Sequence, residues 1–204
     1  MRTLLTDGRL TLRRWRRDDA RALLNLAQES AAEIGPWMMW TDAVTDQAGA
    51  EQFIADRLTQ WDNGDGYGFV AVDVEGRLLG GGALGHFIRQ HRLGNVGYFV
   101  RTGERGRGRA VALSRLLVLF GFEDLRLQRL EILVEPANLA SQRVAEKLGA
   151  VREGTLRHRL LALGGTLGAC EFAGEVRCTV QVPRAQAACF CQEARDLGVR
   201  SEPL

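Results

Sequence analysis

The sequence contains no long apolar run. None of its hydrophobic stretches approaches the roughly 18 residues that a membrane-spanning helix requires. The first residues reach an acidic side chain, Asp7, before a hydrophobic leader segment could form, so we expect no signal peptide. These two features predict a cytoplasmic protein without membrane contact.

Cysteine and histidine are both scarce. There are four cysteines, all near the end of the chain, and three scattered histidines. No C-x-x-C pair occurs, so we expect no zinc site, and reduced thiols are the state expected in the cytoplasm. The residues are Cys170, Cys178, Cys189 and Cys191, with His86, His91 and His158.

The charge balance gives no sign of a nucleic-acid-binding protein. Of the 204 residues, 27 are Lys or Arg and 25 are Asp or Glu, which leaves a net charge of only +2. Hydrophobic residues make up 46% and charged residues 25%, close to the average for globular proteins. The chain is therefore long enough for one sizeable core, and nucleic acid is not an expected partner.

Hydrophobic periodicity predicts an alternation of strands and helices. Such an alternation favours the α/β class, with a single mixed central sheet flanked by helices. Asp18 or Asp19 is expected to cap the first helix, and Glu75-Gly76 is expected to form a hairpin turn. The predicted strands are Leu10–Trp15, Tyr67–Val74, Leu78–Ile88, Gly94–Val100 and Leu130–Val134, and the predicted later helices begin at Asp46, Ala110 and Ser141.

The most informative stretch is Arg105-Gly106-Arg107-Gly108-Arg109-Ala110, which lies between the strand ending at Val100 and an amphipathic helix. Glycines let the backbone turn tightly and allow a ligand to approach the main-chain N–H groups. The helix start behind them offers unpaired N–H donors and the positive end of the helix dipole. The stretch therefore predicts a pyrophosphate-binding turn, to which the three arginines add positive charge.

The glycine-rich turn lacks the signatures of two familiar phosphate-binding motifs. No Lys-Ser/Thr pair follows it as in a P-loop, and no G-x-G-x-x-G opens a strand–helix unit as in a dinucleotide fold. A flexible Arg/Gly segment that touches RNA is a further possibility, but ordered strand and helix patterns flank the turn on both sides.

Two blocks resemble those of a known family. The pattern Arg/Gln-x-x-Gly-x-Gly/Ala, filled by Arg105, Gly108 and Ala110, resembles the acetyl-coenzyme A loop of GNAT N-acetyltransferases. The block Asn138-x-x-Ser141 followed by Glu146-Lys147-x-Gly149 resembles the ribosomal-protein N-terminal (Rim-type) branch, with Ala150 where Phe is usual. The resemblance extends over about Arg9 to Leu160, and it implies a GNAT fold.

The resemblance also implies roles for individual residues. Backbone groups around Phe99 and Val100 would polarise the thioester carbonyl and pair with the pantetheine arm, and Asn138 would hold the pantetheine amide. Ser141 would protonate the leaving sulfur. Besides these, the implied cofactor-binding residues are Arg105, Gly106, Arg107, Gly108, Arg109, Ala110, Ser141 and Arg143.

The acceptor side is marked by aromatic residues. Pro36-Trp37-Met38-Met39-Trp40 cannot be a regular amphipathic element and is predicted to be a loop or broken helical turn, whose rings either fill the core or line a pocket. It resembles the Pro-Trp-x-x-Trp segment that faces the acceptor in the Rim-type branch. Trp37, Trp40 and Tyr67 are therefore the predicted substrate-binding residues.

The general base is the open question. Asn95 occupies the position where the branch often carries glutamate, and an amide cannot take a proton at neutral pH. Either Glu131, Glu135 or His86 replaces it, or the acceptor amine arrives largely neutral and loses its proton through water. The second route suits an α-amine, with a pKa of about 8, better than a lysine at about 10.4.

The resemblance fades beyond Leu160. A hairpin through Leu160–Leu163 and Glu175–Val182 is predicted, with a GNAT domain over residues 1–182 and an extension over 183–204. Ala185–Leu197 could form a helix that packs on a second subunit as a homodimer, or it could be disordered.

The predicted function is direct, acetyl-coenzyme A-dependent N-acetylation of a primary amine, with a protein N-terminus as acceptor. Two other classes remain open. One is N-acetylation of a small-molecule amine such as an amino acid, antibiotic or polyamine, which the same cofactor motifs would serve. The other is a non-catalytic acyl-coenzyme A sensor or RNA-binding module.

Overall fold

The computed structural model describes residues 1–154 and the strands Thr166–Ala173 and Glu175–Gln181. The chain divides into two compact units, Met1–Arg152 and Glu153–Leu204. The first unit contains the strands and helices that the sequence periodicity predicts. In the second unit, the two described strands pair as an antiparallel hairpin.

A six-stranded sheet organises the first unit. Its strands lie in chain order, each antiparallel to the one before it except the last pair, which is parallel. A parallel last pair needs a crossover between its strands, and a helix provides it. The predicted single mixed sheet is therefore confirmed. Its strands are β1 (Leu4–Thr6), β2 (Thr11–Arg14), β3 (Tyr67–Val72), β4 (Leu78–Ile88), β5 (Leu93–Val100) and β6 (Arg129–Glu131), and the hairpin strands are β7 (Thr166–Ala173) and β8 (Glu175–Gln181).

Helices cover both faces of this sheet. Along β3, Phe69 and Ala71 contribute to one buried cluster while Val70 and Val72 contribute to the other, as the two-residue period of a strand requires. The fourth helix packs on the first face through Leu117 and its neighbours, and the first and third helices pack on the second. The helices are α1 (Ala20–Ile34), α2 (Trp40–Ala43), α3 (Gln47–Asn63), α4 (Arg109–Glu123) and α5 (Leu139–Lys147).

The ends of α3 form as predicted, whereas the predicted cap of α1 is wrong. Asp46 caps α3 by accepting from Gly49 N at 2.7 Å, and Gly64 ends the helix with φ 71°. Asp19 makes no cap for α1, because both of its carboxylate oxygens bind the Arg13 guanidinium at 2.7 Å. A single 3-10 turn, Arg17–Asp19, leads into the helix instead.

Other boundaries also differ from the prediction. The sequence pattern did not indicate β1, a strand of only three residues, and β6 ends at Glu131, earlier than predicted. The partner of β8 is Thr166–Ala173, whereas the predicted partner, 160–163, lies outside the described residues. The predicted helix 185–197 also lies outside them, so the division at 182/183 stays a prediction.

Three glycines in β4 hold the centre of the sheet close together, as their pattern predicts. A Cβ on Gly81 would meet Phe69 O and the Phe99 ring, each at 2.9 Å. A Cβ on Gly82 would lie 2.6 Å from Leu117 of α4. Only glycine therefore lets β4 approach its neighbours this closely.

Candidate functional site

The predicted pyrophosphate-binding turn has the expected strand–turn–helix geometry. After β5, Gly106 and Gly108 adopt φ values of 72° and 74°, and α4 begins at Arg109. The first intrahelical bond runs from Ala112 N to Gly108 O, so the amides of residues 109–111 have no acceptor within the helix. A Cβ built on either glycine meets nothing within 4 Å. Open space therefore lies beside both glycines, next to a helix start whose N–H groups suit a phosphate.

Carboxylates already pair with two of the three arginines in the turn. Arg105 lies 3.1 Å from Glu33 of α1, and Arg109 lies 3.5 Å from Glu104. Glu104 is 5% exposed and also contacts Arg77 at 3.3 Å. Within the described residues, Arg107 alone of the three has no acidic partner. The positive charge that the sequence suggested at this turn is thus partly neutralised by the fold.

β5 and β6 separate beside the turn. Their parallel pairing ends at Asn95 and Glu131, although β5 continues to Val100. Asn95 Nδ2 donates to Glu131 O at 3.2 Å and so closes the ladder at its last pair. In the described part of the chain, the far edge of β5 therefore has no strand partner along residues 96–100. Phe99 and Val100, whose backbone was predicted to contact the thioester, lie on this edge.

The start of α5 faces the same strand. Asn138 caps the helix, because its Oδ1 accepts from Ser141 N at 3.0 Å. This bond leaves the Nδ2 donor of Asn138 for a ligand. Arg143 lies one half-turn beyond Ser141 and is exposed. The helix thus presents Asn138 and Ser141 together in its first turn, as the sequence block predicted.

Tyr98 is the residue that the sequence analysis missed. Its hydroxyl lies 2.7 Å from Ser141 Oγ and also donates to Ser141 O at 3.2 Å. Burial raises the pKa of Tyr98, and the hydrogen bond to Ser141 opposes that rise only in part. In sequence, Tyr98 continues the core-facing alternation of Val96, so the pattern indicated a core residue and gave no hint of the contact.

The predicted acceptor-binding aromatics do not all come together. Trp40 packs on Phe99 with ring centroids 4.7 Å apart and on Phe53 at 5.3 Å, which places an aromatic wall beside β5. Trp37 is 39% exposed on the 3-10 turn before α2. Tyr67 belongs to the other core cluster, against Trp61, on the opposite face of the sheet.

The three candidate bases differ in their position relative to the separated strands. Glu131 pairs with Asn95 in register, and its carboxylate contacts Arg129 at 3.0 Å. Glu135 lies between β6 and Asn138. His86 is exposed at the irregular end of β4 with φ 50°. By position along the chain, Glu131 and Glu135 flank the opening between the strands, whereas His86 lies on β4.

A groove of about 500 Å³ continues from Gly108 along α4. Its wall is largely apolar, and its charged lining residues are the basic Arg115 and Lys147 and the acidic Asp7. The sequence analysis did not indicate this groove, because its lining comes from three separate segments. The lining residues are Thr6, Asp7, Gly108, Val111, Ala112, Arg115, Leu116, Leu119 and Lys147.

In the described part of the chain, no three His, Cys, Asp or Glu side chains are grouped to hold a metal ion. None of the described helices has the length and apolar character needed to cross a membrane.

The chain is similar to several proteins that are named as acetyltransferases. YdaF of Bacillus subtilis (strain 168), provisionally named a ribosomal N-acetyltransferase, is 28% identical over 171 residues, 80% of this chain and 90% of that protein. A Vibrio cholerae structure, provisionally described as a ribosomal-protein-serine acetyltransferase, has a TM-score of 0.64 at 26% identity and covers 88% of this chain and 97% of that one.

A third comparison shows the fold alone. RimL, described as a ribosomal L7/L12 alpha-N-protein acetyltransferase in complex with coenzyme A, has a TM-score of 0.67 at 16% identity. The match covers 89% of this chain and 99% of that one.

The family model for the acetyltransferase (GNAT) domain matches residues 9–151. That range includes the glycine turn, the separated strands and the start of α5. The turn fits the cosubstrate of this family, since its open N–H donors suit a pyrophosphate. The chain therefore belongs to the GNAT acetyltransferase family, and it is an N-acetyltransferase with acetyl-coenzyme A as its cosubstrate.

Proposed function

We propose that this enzyme acetylates the α-amine of a protein N-terminus, by direct transfer from acetyl-coenzyme A. Two relatives support a ribosomal acceptor by their provisional names, since YdaF is called a ribosomal N-acetyltransferase and the Vibrio cholerae protein a ribosomal-protein-serine acetyltransferase. Names at 28% and 26% identity suggest a class of acceptor and nothing finer. The chemistry of the site supplies the stronger argument.

That argument rests on Asn95. Its amide is engaged as a donor to Glu131 O at 3.2 Å, so the position where the branch often has its base is occupied by a group that cannot take a proton. Of the two routes left open by the sequence, we therefore propose the one in which no other side chain replaces the base and the acceptor loses its proton through water. At pH 7 this costs about 1.4 kcal/mol for an α-amine and about 4.6 kcal/mol for a lysine. The difference favours an α-amine by more than two orders of magnitude.

The cosubstrate is proposed to lie along β5 and the turn behind it. Backbone donors at Arg105–Ala110 would hold the pyrophosphate, and the unpaired edge at Phe99 and Val100 would hold the pantetheine arm with Asn138. The groove beyond Gly108 is open, largely apolar and lined by Arg115 and Lys147, which suits the adenine and the remaining phosphate. Arg143, exposed on α5, is a further proposed contact.

Ser141 is proposed to donate a hydrogen bond to the sulfur as the thioester breaks. Its position in the first turn of α5 adds the partial positive charge of a helix N-terminus, which favours a developing thiolate. The neighbouring Asn138 cap fixes the backbone of this residue through the 3.0 Å bond to Ser141 N.

The acceptor is proposed to approach over Trp40 and the exposed Trp37. Trp40 stacks at 4.7 Å on Phe99, so an amine held on this wall would lie beside the strand that binds the thioester. Tyr67 is packed on the opposite face of the sheet, and its geometry gives the predicted acceptor role no support.

A small-molecule amine is the alternative acceptor, because the same cosubstrate site would serve it. An RNA-binding role has less support, since two of the three arginines in the turn are paired with Glu33 and Glu104. A non-catalytic sensor would bind acetyl-coenzyme A without turnover.

The test is a panel of acceptors with coenzyme A release as the signal. It compares peptides that have a free N-terminus and no lysine with N-blocked peptides that have one lysine, and with spermidine and single amino acids. We expect the free N-terminal peptides to give the highest kcat/KM. We also expect their kcat/KM to rise tenfold per pH unit below about pH 8, as an acceptor that must arrive neutral requires.

The competing outcomes are distinct. A preference for the blocked lysine peptide or spermidine would contradict the α-amine proposal and place a general base in the site. A preference for a single amino acid would establish the small-molecule alternative. Binding of acetyl-coenzyme A without turnover of any acceptor would establish a sensor.

A further inference from the structure

The polar contact between β5 and α5 joins two hydroxyl groups. Tyr98 OH lies 2.7 Å from Ser141 Oγ, the length of a strong O–H···O hydrogen bond. The same hydroxyl lies 3.2 Å from Ser141 O, a longer contact in which Tyr98 must be the donor. Tyr98 has one proton, so it can fully satisfy only one of these two acceptors at a time.

The direction of this hydrogen bond decides what Ser141 can do. If Tyr98 donates to Ser141 O, the Tyr98 hydroxyl oxygen accepts the proton of Ser141 Oγ. The serine proton is then unavailable to a ligand. If Tyr98 donates to Ser141 Oγ, the serine keeps its own proton free for a second acceptor. A serine in the first turn of a helix would otherwise tend to donate back to a nearby backbone carbonyl.

We propose that Tyr98 is a positioning residue that donates to Ser141 Oγ and thereby directs the serine proton toward the sulfur of the leaving thiolate. This inference rests on the role proposed above for Ser141. The 2.7 Å distance places Ser141 Oγ within reach of the Tyr98 proton. When the sulfur accepts the serine proton, Oγ is left to accept from Tyr98 in place of Ser141 O.

The packing of Tyr98 keeps its hydroxyl protonated, so that it can donate a hydrogen bond. The ring is half-buried against the α4 side of the sheet, and this burial raises its pKa above the ordinary value near 10. The phenol therefore stays protonated throughout the neutral range. In a chain of hydrogen bonds each donor polarises the next, so the serine hydroxyl becomes a better donor than an isolated one.

The proton balance requires no ionised hydroxyl. The amine nitrogen bonds to the carbonyl carbon, the C–S bond breaks, and its electron pair stays on sulfur. The nitrogen loses one proton to solvent and the sulfur finally gains one. A thiol has a pKa near 8.5, below that of either hydroxyl, so Ser141 and Tyr98 stabilise the thiolate by hydrogen bonding and remain protonated themselves.

The experiment is a double-mutant cycle in the full chain with Tyr98→Phe, Ser141→Ala and the two combined. Phenylalanine keeps the ring in its cluster and removes only the hydroxyl. Each variant is assayed for kcat with saturating acetyl-coenzyme A and the best acceptor of the panel. Calorimetry gives the acetyl-coenzyme A affinity, and its stoichiometry normalises kcat to the folded fraction.

We expect Ser141→Ala to lower kcat by up to about 100-fold, near the lower end for removal of one hydrogen-bond donor to developing charge. Tyr98→Phe should lower kcat by about tenfold, the loss of one net hydrogen bond, with less than a twofold change in acetyl-coenzyme A affinity. In the Ser141→Ala background, Tyr98→Phe should have no further effect on kcat, because the hydroxyl through which it acts is gone.

Three results would overturn the proposal. One is an equal loss of kcat from Tyr98→Phe in both backgrounds, which would indicate a structural tie between β5 and α5. The second is unchanged kcat in Tyr98→Phe, and the third is unchanged kcat in Ser141→Ala. Turnover by the unmodified enzyme establishes acetyl transfer independently, so each of these failures is separable from failure of the proposed function.

Discussion

Replacing Gly108 with alanine tests the pyrophosphate site directly. Gly108 has φ 74°, and a Cβ built there meets nothing within 4 Å, so a methyl group would clash with no protein atom. It would instead project into the open space beside the glycine turn, where the pyrophosphate is proposed to bind. The same substitution at Gly76, the hairpin turn with φ 82° and no atom within 4 Å, is a matched control outside the glycine turn.

The two variants should lose similar stability but differ in their affinity for acetyl-coenzyme A. Alanine at a positive φ costs about 1–2 kcal/mol, so both should lose a similar unfolding free energy. Only Gly108→Ala should weaken cosubstrate binding. A phosphate oxygen must come within about 2.9 Å of an N–H group, and losing one charge-assisted hydrogen bond costs about 1.5–3 kcal/mol, or roughly 10- to 150-fold in Kd.

Calorimetric titration with acetyl-coenzyme A measures Kd, and thermal unfolding of the free protein measures the shared loss of stability. Equal Kd values for Gly108→Ala and Gly76→Ala would mean that the phosphates bind elsewhere. A loss of affinity in both variants would instead attribute the effect to destabilisation.

The remaining predictions concern ligand linkage, charge and pH. Acetyl-coenzyme A at about 100 times its Kd should stabilise the fold by about 2.7 kcal/mol, seen as a raised melting temperature, and RNA at physiological salt should not; the opposite result would favour the RNA-binding reading. Glu33→Gln should free Arg105 and tighten acetyl-coenzyme A binding by about two- to fivefold at low salt, the scale of an exposed ion pair. Glu29, one turn before Glu33 on α1, pairs with Arg101, so Glu29→Gln is the control. An equal gain of acetyl-coenzyme A affinity in both variants would exclude an effect specific to Arg105. Because burial raises the pKa of Tyr98, the unfolded chain releases this proton first, so the unfolding free energy should fall as pH rises above about 10. Tyr98→Phe should flatten that fall, and an unchanged alkaline slope would contradict it.

Much of the fold was predictable because its signals are local. The turn at Gly106 and Gly108 needs a positive φ at both positions, and glycine is the residue that supplies it. The α3 ends likewise depend on Asp46 and Gly64, each beside its own helix. Such features depend on neighbours in sequence, so a single sequence reveals them.

The sequence predictions fail where a contact joins residues distant in sequence, or where two partners compete for the same side chain. Asp19 is next to α1 and has a good capping side chain, but Arg13 engages both carboxylate oxygens at 2.7 Å. Tyr67 has the aromatic character of an acceptor contact, yet the strand alternation turns it to the face of Trp61. The Tyr98–Ser141 contact joins positions 43 residues apart, a separation at which periodicity carries no information.

The glycines of β4 explain how the proposed site keeps its geometry. One strand, β5, presents Asn95 to Glu131, Tyr98 to Ser141 and Phe99 to Trp40, and then leads into the glycine turn. Small displacements of β5 would therefore disturb several contacts at once. Gly80–Gly82 pair with Val100, Phe99 and Tyr98 in register. Glycine lowers strand propensity, but any side chain here would meet the β5 backbone, Phe69 O or Leu117. Glycine at these positions lowers the strand propensity of β4, but it is required for β5 to pack closely against both β4 and α4. This close packing fixes the contacts of Asn95, Tyr98 and Phe99 relative to one another.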